Sequence, residues 1–323
     1  MNIKIAIFWV FIFFGSGSLS SQSYLTPSDT LNKKRFNTAL GFTAATYATF
    51  SVILYNTWYK KFDRSSFHFF NDVDEWKQMD KIGHTHTAYF QSALWYKGAK
   101  WTGLNEKKSI FTGMICGTLF QSTLEVMDGF SSKWGFSIPD MAANIAGVSG
   151  FALQQHYWQD QRITLKVSSI PVSYSSDPIL SESTSSTSSL STRADQLFGA
   201  NYFESFLKDY NAQTYWASVN VHSFLQKGNK WPVWLNIAVG YGAENMFGGF
   251  ENRWSEDGQN FIADNLIYPR YRQFYIGLDV DLPKIKPKNP FLKTIFSIIN
   301  IFKIPSPALE INTQGIVVFH LLR

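Results

Sequence analysis

Side chains able to carry protons or cations recur on three otherwise uncharged stretches: Asp80, Lys81 and His84; then Glu125 and Asp128; then Asp140, with Asn144 one helical turn beyond it. Ionisable groups on apolar helices are costly unless they are paired, hydrogen-bonded or metal-bound, so their convergence would make a site. Two chemistries suit these types. His84 with Glu125, Asp128 or Asp140 could hold a divalent metal and activate water, or could do general acid and base work without a metal, in a hydrolase or transferase acting on an envelope component. The same residues also make a purely structural network of ion pairs and hydrogen bonds, which is the leading reading. The HExxH zinc-protease spacing is missing, which counts against hydrolysis. The glycines around Val239-Gly240-Tyr241-Gly242 lack the strand-loop-helix unit of a phosphate loop, and Ser131-Ser132 lacks a neighbouring His and acid.

Helical spacing places these groups relative to one another. Asp80 and His84 are four apart and Lys81 and His84 three apart, so a helix presents carboxylate, ammonium and imidazole on neighbouring surfaces. His86 points elsewhere and is assigned a packing or surface role. Gly113, Gly117, Gln121, Glu125 and Asp128 form one stripe that ends in two acids on a last helical turn. Negative charge there is unfavourable by roughly 0.3–1 kcal/mol, so Lys81, protonated His84 or a metal is expected to face both acids. Asp140 has a local role as well, because Ser137-Ile138-Pro139-Asp140 has the form of a capping box with Ser137 as N-cap. Asn144 is expected to anchor an interhelical hydrogen bond. The predicted polar cluster is therefore Asp80, Lys81, His84, Gln121, Glu125, Asp128, Asp140 and Asn144.

The elements that must position this cluster are helical. Patterns over 80–96, 108–128 and 138–158, separated by loops carrying Gly98, Gly103, Gly129 and Gly135, join an uncharged stretch at 36–59 in a unit of about four helices. The 36–59 stretch has the length of a membrane span but many Thr and Asn residues, so a span and a buried bundle helix both remain open. Gly113 with Gly117, and Ala143 with Gly147 and Gly150, let helix backbones approach closely. From Ile163 the chain alternates as a strand, then passes through the Ser/Thr-rich tract 181–189, too polar to bury and expected to be a flexible loop or linker. The remainder is mainly β: a short helix near 202–207, strands at 234–241, 273–282 and 315–322, and an amphipathic helix at 291–302 that covers a sheet or lies on a membrane. In 273–282 the face of Phe274, Ile276 and Leu278 is expected to be dry. The strands are too few for a membrane barrel, which needs about eight. The fold class is thus α+β, with 1–23 as signal peptide, 30–160 helical, 161–193 strand and linker, and 194–323 β-rich.

Composition agrees with an exported chain near membranes. Lys4 precedes an apolar run over 5–14 and a small, polar stretch cleavable near Ser20 or Ser23, the form of a secretory signal peptide. Aromatic residues make up 17% of the chain and charged ones only 16%, a balance that favours membrane proximity or very apolar packing. The net charge of +5 is dispersed and lacks the basic, stacking surface of a nucleic-acid binder. Cys116 is alone, which rules out an intramolecular disulfide and cysteine-based zinc sites and leaves no lipid-accepting cysteine near the cleavage region.

Asp80-Lys81-x-x-His84, Glu125-x-x-Asp128 and Asp140-x-x-x-Asn144-x-x-Gly147, behind a signal peptide, resemble the YfiM-like family of predicted periplasmic lipoproteins of unknown function. The resemblance covers about 75–155, and the same order more loosely resembles VanZ-like membrane proteins. It implies a periplasmic or envelope-membrane protein of a Gram-negative-type cell, with a membrane or envelope component as partner. The segments at 208–216, 234–249 and 273–282 look like the extension of longer exported relatives.

Overall fold

In the computed structural model, residues 24–60 and 62–323 are described, so the expected signal peptide lies outside them. Helix α1 is Lys33–Leu54, continued by a π turn at Tyr55–Tyr59. Helices α2 (Met79–Trp101), α3 (Glu106–Gly129) and α4 (Ile138–Trp158) follow, the last two begun by side-chain caps. Asn105 caps α3 through the amide of Lys108, and Ser137 caps α4 through the amide of Asp140 with Pro139 in the first turn. Gly98, expected in a loop, lies inside α2; the turn is made at Gly103, whose φ of +85° suits glycine. Among the other small residues, a Cβ at Gly147 would collide with the Thr85 carbonyl and one at Gly117 with Ser92, so α3 and α4 both seat closely on α2. Gly150 meets open space and takes no part.

The 36–59 stretch does not act as a core helix. Phe36, Leu40, Phe42, Val52 and Ile53 are exposed, and in Lys33–Leu54 only Leu54 is buried. It leans on α3 through Tyr47, which bonds Thr123 at 2.7 Å and meets Phe120 edge-on. Its threonines and asparagines keep its hydropathy down; among the described residues, Glu106–Gly129 is the one helix long and apolar enough to cross a membrane.

Downstream, a six-stranded antiparallel sheet has the order β1-β4-β5-β8-β9-β10, built from Ile163–Ser169, Gln213–Val219, Leu235–Glu244, Tyr271–Val280, Ala308–Asn312 and Val317–His320. Two-stranded pairs, β2–β3 (Ile179–Leu180 with Thr187–Ser188) and β6–β7 (Arg253–Glu256 with Gln259–Ile262), and the helices α5 (Leu190–Phe198) and α6 (Tyr202–Lys208) fill the connections. The fold is α+β, helices first and sheet second. The Ser/Thr tract is folded as part of the β2–β3 hairpin: Ser181 is buried, Glu182 bonds the Asn260 carbonyl, and Ser183 and Ser185 meet Gln259. The hydroxyls of Ser181, Ser183, Ser185 and Ser188 find partners in one another and in Gln259 and Glu256 of the β6–β7 pair, which lets so polar a segment order.

The sheet is turned opposite to expectation. Phe274 and Ile276 are 48% and 54% exposed, whereas their neighbours Gln273, Tyr275 and Asp279 are buried. The register extends the inversion: Val239 pairs with Ile276, Ile276 with Leu309, and Leu309 with Phe319, one bare apolar row across β5, β8, β9 and β10. The opposite face carries Lys166, Ser218, Asn236, Asp279, Gln273, Glu310 and Asn312, all buried. That is tolerable only because the groups satisfy one another. Lys166 Nζ meets Asp279 at 2.7 Å, Asn300 at 2.9 Å and the Val280 carbonyl at 2.8 Å, while Glu310 holds His320 at 2.7 Å and Gln273 at 3.1 Å. The helical unit sits on the apolar face at β1 and β4, where Tyr215 meets Gly83 and His86, and Leu165 joins the cluster of Tyr89, Ile110 and Phe151.

Candidate functional site: an acid cluster closed on lysine and histidine

The first turn of α2 enters the site from a strained approach. Trp76, Lys77 and Gln78 all have left-handed φ, 49°, 53° and 65°, a conformation that costs non-glycine residues on the order of 1 kcal/mol or more each. The downstream sheet and its loops hold it: the Trp76 amide bonds the Gly249 carbonyl, the Tyr241 hydroxyl the Lys77 carbonyl, and Arg272 the Gln78 side chain at 2.6 Å. Out of this segment α2 presents Asp80, Lys81 and His84 to α3 and α4.

Lys81 is the hub. Its ammonium lies 2.8 Å from Asp72, 3.0 Å from Asp80 and 2.6 Å from Asp140. His84 lies behind it, with Nδ1 3.1 Å from Asn144 Oδ1 and 3.5 Å from Glu125 Oε1, and Nε2 3.8 Å from Asp80 and 3.9 Å from Asp140. Ser137 ties the last elements together: its hydroxyl donates to Asp72 at 2.6 Å, its oxygen caps Asp140, and its amide reaches Glu125 Oε2 at 3.4 Å. The capping box is thus half formed, since the Asp140 carboxylate turns to Lys81 rather than back to the Ser137 amide. Tyr210, ahead of β4, closes the site by donating to Asp80 at 2.5 Å.

Carboxylates outnumber cations here, and the proton affinities follow. Burial pushes Glu125 up to about 7 although His84 opposes it, and burial with the Asp80 charge pushes Asp140 up to about 8. Burial also disfavours charge on Asp80 and Asp72, but His84 and Lys81 hold Asp80 below the usual carboxylate range, and hydrogen bonds from Asp140, Lys81 and Ser137 do the same for Asp72. Asp72 and Asp140 share a hydrogen bond that lowers the first and raises the second, so Asp140 keeps the proton. Burial works against positive charge on Lys81 and His84, yet Asp80 and Asp140 outweigh it and raise both.

The structure brings together Asp80, Lys81, His84, Glu125, Asp140 and Asn144. Two predicted members lie apart. Gln121 bonds Gln91 at 3.1 Å, higher on the α2–α3 seam. Asp128 forms no ion pair among the described residues: it accepts from the Tyr59 hydroxyl at 2.7 Å, and burial raises it to about 7 although the His84 charge opposes this. Of the two acids on the last turn of α3, Glu125 has His84 beside it at 3.5 Å, while Asp128 is accommodated among the described residues by a raised proton affinity and the Tyr59 phenol. His86 takes the expected packing role, buried against the Tyr215 ring at 5.5 Å and lowered by burial to about 4. Sequence reasoning missed Asp72, Tyr59 and Tyr210. Only Asp72 had a local signal, the acid-rich run Asn71-Asp72-Val73-Asp74-Glu75 just ahead of the helix start.

Asp80, His84 and Asp140 offer ligand atoms within 4.8 Å of one another, the spacing of a metal site. The Lys81 ammonium already sits between the same carboxylates and supplies the positive charge a metal would bring. A divalent ion would have to displace it, so the donor set does not fit one. Nor does either of two surface cavities open on the cluster. The larger, about 370 Å³, is lined by Tyr59, Arg64, Met127 and Phe130, and the smaller by Tyr174, Phe247 and Tyr268.

Residues 68–156, which carry almost all of this cluster, match a family described as "Predicted periplasmic lipoprotein (DUF2279)". The match supports an exported, periplasmic setting for the chain. No curated protein and no solved structure matches the chain.

Proposed function

We propose that the protein is an exported envelope component attached to a membrane and acting by binding or scaffolding, with the lysine–acid cluster as a structural joint. The helical unit, 30–160, is on this reading of the YfiM-like kind, the looser VanZ-like likeness resting on the same residues, and 194–323 is its β-rich partner unit. The observation that carries the reading is the inverted sheet. An apolar row on the outside over buried Lys166, Asp279 and Glu310 is the distribution of a sheet that meets lipid rather than water. The helices repeat it, since α3 turns Phe111, Ile115, Leu119 and Val126 outward and its glycines and Glu125 inward.

Washing of membranes tests the attachment: the chain should stay in the pellet through high salt and carbonate and leave with detergent, and release by salt alone defeats it. A second reading, acid–base catalysis, draws on Glu125 and Asp140, raised to about 7 and about 8, with the buried Glu125 Oε1 near His84 but without a hydrogen bond. His84→Ala and Glu125→Ala separate the two. A joint loses stability in both variants with unchanged metal content, whereas a catalytic centre tolerates the changes structurally.

A further inference from the structure

The amphipathic helix α7, Pro290–Ile299, does not cover the sheet. None of its residues is buried; Phe291, Leu292, Ile298 and Ile299 are exposed, while Ser297 on the polar stripe is held by Lys97 of α2 at 2.5 Å. Ile295, Phe296 and Ser297 are half-buried against the protein, while Phe291, Leu292, Ile298 and Ile299 turn outward beside the exposed Lys293 and Thr294, so most of the apolar arc is left uncovered.

Its surroundings are basic. The β4–β5 connection, 220–234, and the β8–β9 connection beyond Asp281 leave the sheet at the same end, because Leu235 pairs with Val280 and Ile237 with Val219. Residues 220–234 and 282–300 hold Lys227, Lys230, Lys284, Lys286, Lys288 and Lys293 and no acid. Lys284 is engaged by Asp160 at 2.6 Å; Lys227, Lys230, Lys286, Lys288 and Lys293 are exposed, and none of these five pairs with a carboxylate among the described residues.

We propose that α7 lies along an anionic membrane surface, with Phe291, Leu292, Ile298 and Ile299 among acyl chains and Lys286, Lys288 and Lys293 on lipid phosphates. Charge complementarity selects this occupant. Protein interfaces are depleted in lysine, whereas lysines ringing an apolar arc suit the headgroup boundary, where their stems lie on hydrocarbon and their ammonium groups reach phosphate. The inference rests on membrane attachment and adds the site and the lipid class.

The full chain, purified in a neutral detergent, is titrated with short-chain phosphatidylglycerol or phosphatidylcholine, and bound lipid is counted by native mass spectrometry. Phosphatidylglycerol should bind more tightly. Each basic residue at an anionic surface contributes roughly fivefold, so Lys286→Gln/Lys288→Gln/Lys293→Gln should erase on the order of 100-fold of that preference. Lys60→Gln/Lys133→Gln, away from α7, should leave it intact. Equal binding of the two lipids, or an undiminished preference in the triple variant, overturns the proposal. Carbonate-resistant chain without lipid preference sinks this inference alone, whereas salt-released chain that keeps the preference sinks the attachment reading and sustains the headgroup contact.

Discussion

The Tyr210 hydroxyl donates to Asp80 Oδ1 at 2.5 Å across a separation of 130 residues, so a tyrosine of the β-rich half completes the charge cluster of the helical half. With Tyr215 over Gly83 and Arg272 on Gln78, it makes the cluster a joint between the two halves.

Tyr210→Phe removes a hydrogen bond to a buried carboxylate and nothing else of its shape. It should lower stability by about 1.5–3 kcal/mol, read from urea unfolding of the detergent-purified chain. A change below a few tenths would mean that Asp80 gains nothing from the contact.

Lys81→Met leaves Asp72, Asp80 and Asp140 around an uncharged stem. Breaking such a buried network costs about 3–5 kcal/mol, and the loss should shrink in Lys81→Met/Asp80→Asn, where one of the charged carboxylates that Lys81 faces is removed as well. Losses that simply add would show that the two residues act independently.

Stability should fall as pH rises through neutrality. Glu125 and Asp128, raised to about 7, and Asp140, raised to about 8, bind protons in the folded chain that the unfolded chain releases near pH ~4, so their contribution is complete below that value and is lost as pH climbs to 8. His84, raised above its ordinary value, acts in the same direction: its contribution is full below about pH 6.5 and disappears above its folded value. Asp72 and Asp80, both lowered, act oppositely and withdraw stability only in acid below about pH 4. Thermal unfolding should therefore be highest between about pH 4 and 6 and lower at about pH 8.5, by an amount on the order of a few kcal/mol, with a shallower fall in Asp140→Asn. A midpoint that rises from pH 6 to 8.5 contradicts the protonated carboxyls.

Inside the sheet, Lys166 and Asp279 are both 0% exposed and fully bonded. Lys166→Met and Asp279→Leu should each cost about 3–5 kcal/mol by stranding the other charge, and the double variant should recover much of it. A double variant worse than either single one would mean that the pair itself stabilises the fold.

Periodicity along the chain determined helices over 80–96, 108–128 and 138–158, the cap at Ser137 and the stripes that carry Asp80, Lys81 and His84, then Glu125, then Asp140 and Asn144, because helical spacing, capping chemistry and small-residue stripes are local properties that one segment carries alone. It equally determined that 273–282 alternates with a period of two. Which side of that strand is buried was decided only by the tertiary structure, since Asp279 can turn inward only if Lys166, from a strand more than a hundred residues earlier, arrives to neutralise it. The same holds for Asp128, whose partner is the Tyr59 phenol, and for the closure of the cluster by Tyr210. A sequence states which side chains need partners; the pairing of distant strands and helices decides which partners they meet, and with that whether the apolar face or the polar one looks outward.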